Sequence, residues 1–308
     1  MASKETSTKK SHATAVLQAL LVTFLWSSSM ILIKIGLKAG LSPISFAGLR
    51  YGFAFICLLL LVLFTPTHRS ALRSIPRATW MNLSLLGILF YTITQGANFM
   101  GLSYLPANTL SLIFNFAPLF IALGSTLLTK EHPTGPQWIG VLLSITGALV
   151  YFLPLSISIQ QSLGYIAGII GVLANSVSTL LGRHINRQSG LPPIIITTIS
   201  MGIGGVLLLL VGGTTQGFGQ PDPAQWLIIG WLAIVNTAFA FTLWNSTQRT
   251  LSAVESGIIN NTILPQVAIL GWLFLDESLT IKQVIAMLLV AIGVIILQVK
   301  RQSRGNQS

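Results

Sequence analysis

"NFAPLFIALGSTLLTKEHPTGPQWIG" occupies residues 115–140, and "NTILPQVAILGWLFLDESLTIKQVIA" occupies residues 261–286. In each, an asparagine opens an apolar run, a proline follows within a turn, and Glu131 or Glu277 stands ahead of a Thr-x-x-Gln pattern. Sliding the chain by 146 residues gives thirteen identities over the 46 positions from 105, among them Ala107/Ala253, Asn115/Asn261, Glu131/Glu277, Thr134/Thr280, Gln137/Gln283 and Gly147/Gly293. Leucine-rich composition alone does not align polar residues and glycines. A second slide, by 150 residues from 21 to 62, gives eleven identities and lays "GLSPI" at 40–44 on "GLPPI" at 190–194. The two offsets differ by one loop-length change, so the chain reads as two copies of one unit.

The unit is apolar. The 308 residues are 52% hydrophobic and 7% charged, with a mean hydropathy of +0.78, whereas soluble domains are roughly 25% charged. A spanning helix needs about 20 mainly apolar residues. Such stretches fall near 14–34, 43–64, 79–101, 105–127, 136–153, 163–184, 191–212, 225–246, 252–275 and 281–299. The expected fold is therefore an all-α integral membrane protein with ten transmembrane helices. Its first repeat covers 14–153 and its second 163–299, between tails at 1–13 and 300–308. A five-span unit copied in tandem reverses its orientation, so the two five-helix repeats are expected to be inverted about an axis in the membrane plane.

The charges set the topology. With alternating spans, thirteen Lys and Arg fall on the side holding both termini, three (Lys34, Lys38 and Lys282) fall on the other, and Arg50 stays inside span 2. That bias marks the termini as cytoplasmic. The net charge of +11 is thus a topology signal, not a nucleic-acid footprint. The first apolar run has spanning length and lacks a small-residue cleavage site, so it reads as a retained span rather than a signal peptide. Cys57 is the single cysteine and excludes an intramolecular disulfide. The four histidines lie in tails, loops or span ends, and no metal or cofactor is expected.

Pro118 cannot donate to the carbonyl of Phe114, nor Pro265 to that of Asn261, and backbone acceptors freed inside a membrane are tolerated only against protein or a wet cavity. Kinks are expected at both prolines, with Asn115 and Asn261 near mid-membrane. The patterns at 134–137 and 280–283 read as capping boxes that start spans 5 and 10. Glu131 and Glu277 stand just before those helix starts, where a carboxylate suits free amides, and read as structural. Gly140 with Gly147, and Ala286 with Gly293, suit a packing scaffold or the seam of a homodimer.

Here the chain resembles the EamA-type family of the drug/metabolite transporter superfamily. The resemblance rests on the ten-span layout, the paired proline, glutamate, glutamine and glycine pattern, and the stretches "FLWSSSMILIKIGL" at 24–37, "SPISFAGLRYGFA" at 42–54 and "GLSYLPANTLSLIFNFAPLF" at 101–120. It implies transport of small metabolites, amino acids and related compounds among them, by alternating access across a cell inner membrane. The second half departs from the first where Ser176 aligns with Trp26 and Ser200 with Arg50.

Polar residues concentrate in spans 1, 3, 4, 6, 8 and 9, which are expected to wall a central pathway. The candidate substrate-binding residues are Trp26, Ser28, Tyr91, Gln95, Asn98, Asn115, Asn175, Trp244, Asn245, Asn260 and Asn261. Each aromatic, Phe114 included, has ordinary packing as its competing reading. Arg50 either snorkels to the outer surface or is paired inside, where it serves a substrate carboxylate or ties span 2 to carbonyls. No acidic residue lies deep in a span, and no nucleophile or metal constellation marks an intramembrane enzyme. The expected function is a secondary transporter, an exporter, whose partners are a small-molecule metabolite and the bilayer. A channel or a non-transport scaffold is the alternative.

Overall fold

The computed structural model describes residues 2–73, 75–129, 135–153, 158–247, 250–251 and 259–305, and among them the regular structure is helical with no strand. In chain order the apolar helices are α1 (His12–Lys38), α2 (Pro43–Phe64), α3 (Arg77–Tyr104), α4 (Ala107–Ile121), α5 (Trp138–Phe152), α6 (Ile159–Asn186), α7 (Pro193–Thr215), α8 (Pro223–Trp244), α9 (Ile259–Leu275) and α10 (Ile281–Ile296). Of these, α1, α2, α3, α6, α7 and α8 are long and apolar enough to cross a membrane, and the other four are shorter. Outward faces carry large apolar side chains, such as Phe64, Leu61, Ile166, Trp272 and Phe274, as a helix bathed in lipid requires. This is a multi-pass membrane protein. The sequence readings placed on Glu131, Thr134 and residues 252–258 fall outside the described residues.

Local chemistry sets the helix starts. Pro43 and Pro193 occupy the first turns of α2 and α7, where a missing amide costs nothing. The turns before them need left-handed residues, supplied by Gly40 (φ 97°) and Gly190 (φ 65°) because glycine has no Cβ to clash.

Two helix pairs run with their backbones in contact. A Cβ placed on Gly48 of α2 would lie 2.8 Å from the Leu209 amide of α7, and one on Gly212 would lie 2.7 Å from the Ser45 Cα. Between α5 and α10, a Cβ on Gly147 would lie 2.7 Å from the Ala286 carbonyl, and one on Gly293 would lie 2.5 Å from that of Gly140. Small residues permit this approach, and dispersion along the shared face holds it. The Gly140, Gly147, Ala286 and Gly293 faces are consumed inside the chain. They therefore do not supply the homodimer seam that their spacing also suited.

Four helices depart from α geometry. α4 breaks at Asn115–Phe116 and α9 at Thr262, each about one turn before a proline. Tighter bonds bridge the breaks, from Phe116 N to Ile113 O (3.1 Å), Leu119 N to Phe116 O (3.0 Å) and Thr262 N to Ile259 O (3.0 Å). α3 and α8 each contain a π-helical segment, Gly87–Gln95 and Ile234–Phe239. In each, a threonine hydroxyl donates to the carbonyl five residues back: Thr94 to Leu89 (2.9 Å) and Thr237 to Leu232 (2.8 Å). These segments pack on the close-contact pair: a Cβ on Gly204 of α7 would lie 2.4 Å from both Gly87 O and Tyr91 Cβ of α3.

Candidate functional site

The polar interior is organised around the irregular segments. On α8, Asn236 donates through Nδ2 to the Leu25 carbonyl and to Ser28 Oγ (3.1 Å), which ties the π segment to α1. Its neighbour Thr237 accepts from Arg50 Nε at 2.8 Å while donating within its own helix. Arg50 Nη1 donates to Ser29 Oγ at 2.7 Å, and the guanidinium lies 5.2 Å from the Tyr51 ring centroid. One side chain of α2 thus joins α1 and α8. At 4% exposure Arg50 does not snorkel, and its partners are hydroxyls where the sequence reading allowed a substrate carboxylate or backbone carbonyls.

A second network joins α1 to the break in α9. Ser27 Oγ donates to Gln266 Oε1 (2.9 Å), and Gln266 Nε2 donates to Thr262 Oγ1 (3.0 Å) and Thr23 Oγ1 (3.3 Å). The Thr262 hydroxyl also donates to the Ile259 carbonyl at 2.6 Å. A side chain therefore serves a carbonyl beside the break, which is what hydrocarbon surroundings demand.

Aromatic rings form a row through four helices. Tyr51 and Tyr91 are 5.5 Å apart between centroids, Tyr91 and Phe241 6.5 Å, Phe241 and Trp26 5.3 Å, and Trp26 and Trp244 5.2 Å. These separations match the tilted and edge-to-face contacts that rings prefer. The row starts beside Arg50 and crosses α2, α3, α8 and α1.

Several buried polar atoms have no protein partner. Among the described residues they are Trp26 Nε1, Asn98 Oδ1, Asn108 Oδ1, Asn115 Oδ1, Asn236 Oδ1, Asn261 Nδ2 and, away from this region, His68 Nδ1. An unmet buried donor or acceptor costs about 1–3 kcal/mol. Six such atoms on α1, α3, α4, α8 and α9 are an expensive feature for a pure packing core, and they mark where a polar solute or water finds bonding capacity.

The sequence-derived candidates divide accordingly. Trp26, Asn98, Asn115 and Asn261 each carry an unmet buried atom. Ser28 is engaged with Leu25 and Asn236. Tyr91 is buried within the aromatic row, Trp244 closes that row, and Gln95 and Asn175 are half-buried. Asn260 is exposed, so it does not share the interior with Asn261. The Asn245 side chain is outside the described residues. Pro118 and Pro265 follow the helix breaks. Asn236 and Thr237 are fully buried, and the half-buried Phe241 and Gln266 join the same interior through Trp26 and Ser27; none of the four was among the sequence candidates.

At the end of the bundle carrying Lys34, a charged latch closes the corner between α3 and α4. Lys34 Nζ donates to the carbonyls of Leu102 (2.5 Å) and Leu105 (2.6 Å). Glu277 accepts from the amides of Ala107 (2.8 Å) and Asn108 (3.1 Å). A cation thus sits on the negative end of α3 and an anion on the positive start of α4. Asp276, in left-handed conformation (φ 58°), and the Glu277 N to Gly271 O bond (3.2 Å) fold the chain back to aim that carboxylate. The sequence had set Glu277 before α10; its amides belong to α4 instead. Thr280 and Gln283 cap α10 reciprocally, with Thr280 N donating to Gln283 Oε1 (2.9 Å) and Gln283 N to Thr280 Oγ1 (3.3 Å).

A groove of about 350 Å³ lies apart from these networks, lined by Ile44, Ile93, Gly96, Leu163, Ile166, Leu208 and their neighbours. Its walls are almost wholly apolar, so it suits a lipid chain and not a polar solute.

Comparison with known proteins bears on this geometry. The profile of the EamA-like transporter family matches twice, over residues 13–153 and 162–299. An S-adenosylmethionine/S-adenosylhomocysteine transporter of Chlamydia trachomatis serovar L2 is 28% identical over 276 residues, covering 86% of this chain and 83% of that protein. The uncharacterized transporter YvbV of Bacillus subtilis is 27% identical over 311 residues, covering 94% and 93%. A solved crystal structure superposes with a TM-score of 0.64 at 18% identity, over 97% of this chain and 99% of the other, which is a likeness of fold alone.

Proposed function

The chain belongs to the EamA-like transporter family, and from that premise we propose that it is a secondary transporter exporting small organic metabolites, amino acids or their derivatives. The pathway runs between α1, α3, α4, α6, α8 and α9 and works by alternating access. The observation that carries this reading is the set of unmet buried polar atoms on Trp26, Asn98, Asn115, Asn236 and Asn261, grouped on those helices beside the breaks and π segments. Polar capacity held ready inside a membrane bundle serves a passing solute.

The proposed architecture is ten spans in two inverted repeats, with both termini in the cytoplasm of a cell whose inner membrane holds the protein. Three features support it. The counterpart helices α2 and α7, and α5 and α10, pair through glycine contacts; α3 and α8 each carry a π segment; and α4 and α9 each break before a proline. Such a repeat lets two halves rock about a fixed midplane site, which favours a carrier over a channel. The chlamydial relative is named as an S-adenosylmethionine/S-adenosylhomocysteine transporter, and a solute of that class is in keeping with the aromatic row.

The test is to express the parent chain and Asn261→Trp in bacteria and compare solutes in the medium by mass spectrometry. The reading predicts a solute that accumulates only with the parent, at equal membrane yields of the two proteins. Identical media from both, with equal yields, contradict export through this pathway.

A further inference from the structure

We propose that Arg50, held between Ser29 and Thr237, is the anion-holding site that takes the carboxylate of the transported solute, whose flat or apolar body lies along the row from Tyr91 to Trp26. This rests on the transport reading above and names the chemical class that the pathway selects.

The first observation is a buried charge with no acidic partner among the described residues. Arg50 is 4% exposed, and among the described residues its hydrogen bonds go to two hydroxyls, Thr237 Oγ1 and Ser29 Oγ. The acidic side chains that the structure describes are engaged elsewhere. Asp222 caps the start of α8, where Gln225 reaches the Ala39 carbonyl, and Asp276 and Glu277 sit at the same end of the bundle. A guanidinium has five N–H donors in a planar fork, and two hydroxyls occupy two of them. If Arg50 only stitched α1 to α8, a neutral amide would make comparable bonds without the cost of burying a charge. What the fork matches is a carboxylate, accepted through two parallel bonds.

The second observation is direction. The guanidinium abuts Tyr51, and from there Tyr91, Phe241, Trp26 and Trp244 succeed one another at centroid separations of 5.2 to 6.5 Å. Along this row lie the unmet Trp26 Nε1 and Asn236 Oδ1, a donor and an acceptor for the polar groups of a solute whose charged end is at Arg50.

The third observation is coupling. Thr237, in the π segment of α8, accepts from Arg50 Nε while donating to Leu232 O one turn before that segment's middle. A carboxylate that takes Nε frees Thr237, so loading the anion and loosening the α8–α2 contact are one event. Differential binding of this kind is what a ligand needs in order to shift a conformational equilibrium.

The test uses the full chain in proteoliposomes loaded with a bacterial small-molecule extract, followed by mass spectrometry of what is released. The parent, Arg50→Lys and Arg50→Gln are compared, and each released solute is then offered as its carboxyl methyl ester. We expect every solute moved by the parent to carry a carboxylate and its ester to move at least tenfold more slowly. Arg50→Gln should lose at least tenfold and Arg50→Lys less, the range expected for one charge-assisted pair. Release of neutral solutes, or esters moving at the parent rate, overturns the site and leaves transport standing. Arg50→Gln moving the acids at the parent rate does the same. Should Arg50→Gln not fold, the ester comparison on the parent decides alone. If the parent releases nothing, the transport reading fails, and this site fails with it.

Discussion

Replacing Glu277 with glutamine tests the latch between α3, α4 and α9. The carboxylate accepts from two amides, Ala107 N at 2.8 Å and Asn108 N at 3.1 Å, at the positive start of α4. Bonds from amides to a charged acceptor are worth about 1.5 kcal/mol each at the low end, suited to a half-buried site, and neutral ones about 1 kcal/mol. Glutamine keeps one acceptor, turns an NH2 toward the other amide and removes the charge that suits the helix end. The expected loss is about 2 kcal/mol. With an unfolding entropy near 2.1 cal/mol/K per residue, that is a fall of roughly 3 °C in the thermal midpoint. The assay is thermal unfolding of purified protein in detergent, with Glu277→Asp as the charge-retaining control and Glu277→Ala expected to fall further. Solute flux per folded molecule should be largely retained. An unchanged midpoint for Glu277→Gln would refute the capping role, and a full-stability protein without flux would place the carboxylate in the transport step instead.

Other perturbations read different parts of the structure. Gly204→Ala puts a methyl 2.4 Å from Gly87 O and Tyr91 Cβ, so it should cost about 1–3 kcal/mol by overpacking, measured as a lowered midpoint. Gly147→Leu, against the Ala286 carbonyl, should abolish the α5–α10 pairing, seen as loss of monodisperse protein on gel filtration. Thr237→Val strips Arg50 of its hydrogen bond to the Thr237 hydroxyl and should cost about 2 kcal/mol, with Thr237→Ser close to the parent in the same unfolding assay. Asn261→Trp should stop flux at normal membrane yield, checked by transport and by quantifying inserted protein.

Much of the architecture was legible because it rests on local chemistry. Apolar runs of spanning length mark helices where backbone groups must be met internally, and a proline releases the carbonyl four residues back. The breaks at Asn115–Phe116 and Thr262 accordingly lie one turn before Pro118 and Pro265. The π segments were not legible, since "GILFYTITQ" at 87–95 and "IVNTAF" at 234–239 differ from ordinary helix only in which carbonyls their threonines reach. The partner of Glu277 was equally hidden, because its acceptor role depends on a left-handed Asp276 folding the chain onto an element 170 residues away. In the site, asparagines stand out in apolar sequence more than hydroxyls do, Ser28 being the one serine or threonine among the candidates. Asn115 and Asn261 were therefore visible, but Ser29 and Thr237 acquire their significance only once Arg50 is seen between them. Asn260 shows the limit of composition: it neighbours Asn261, yet helical geometry turns it to the exposed side.

Solute counterflow discriminates the proposed carrier pathway through the bundle from a channel. Purified protein in liposomes preloaded with unlabelled solute, of the kind found in the export experiment, is given a trace of the labelled form outside. A carrier gives transient uphill accumulation of label that saturates with concentration and is absent with Asn261→Trp. Linear, non-saturating entry without overshoot, in protein shown to be folded, would contradict alternating access and make the pathway a channel.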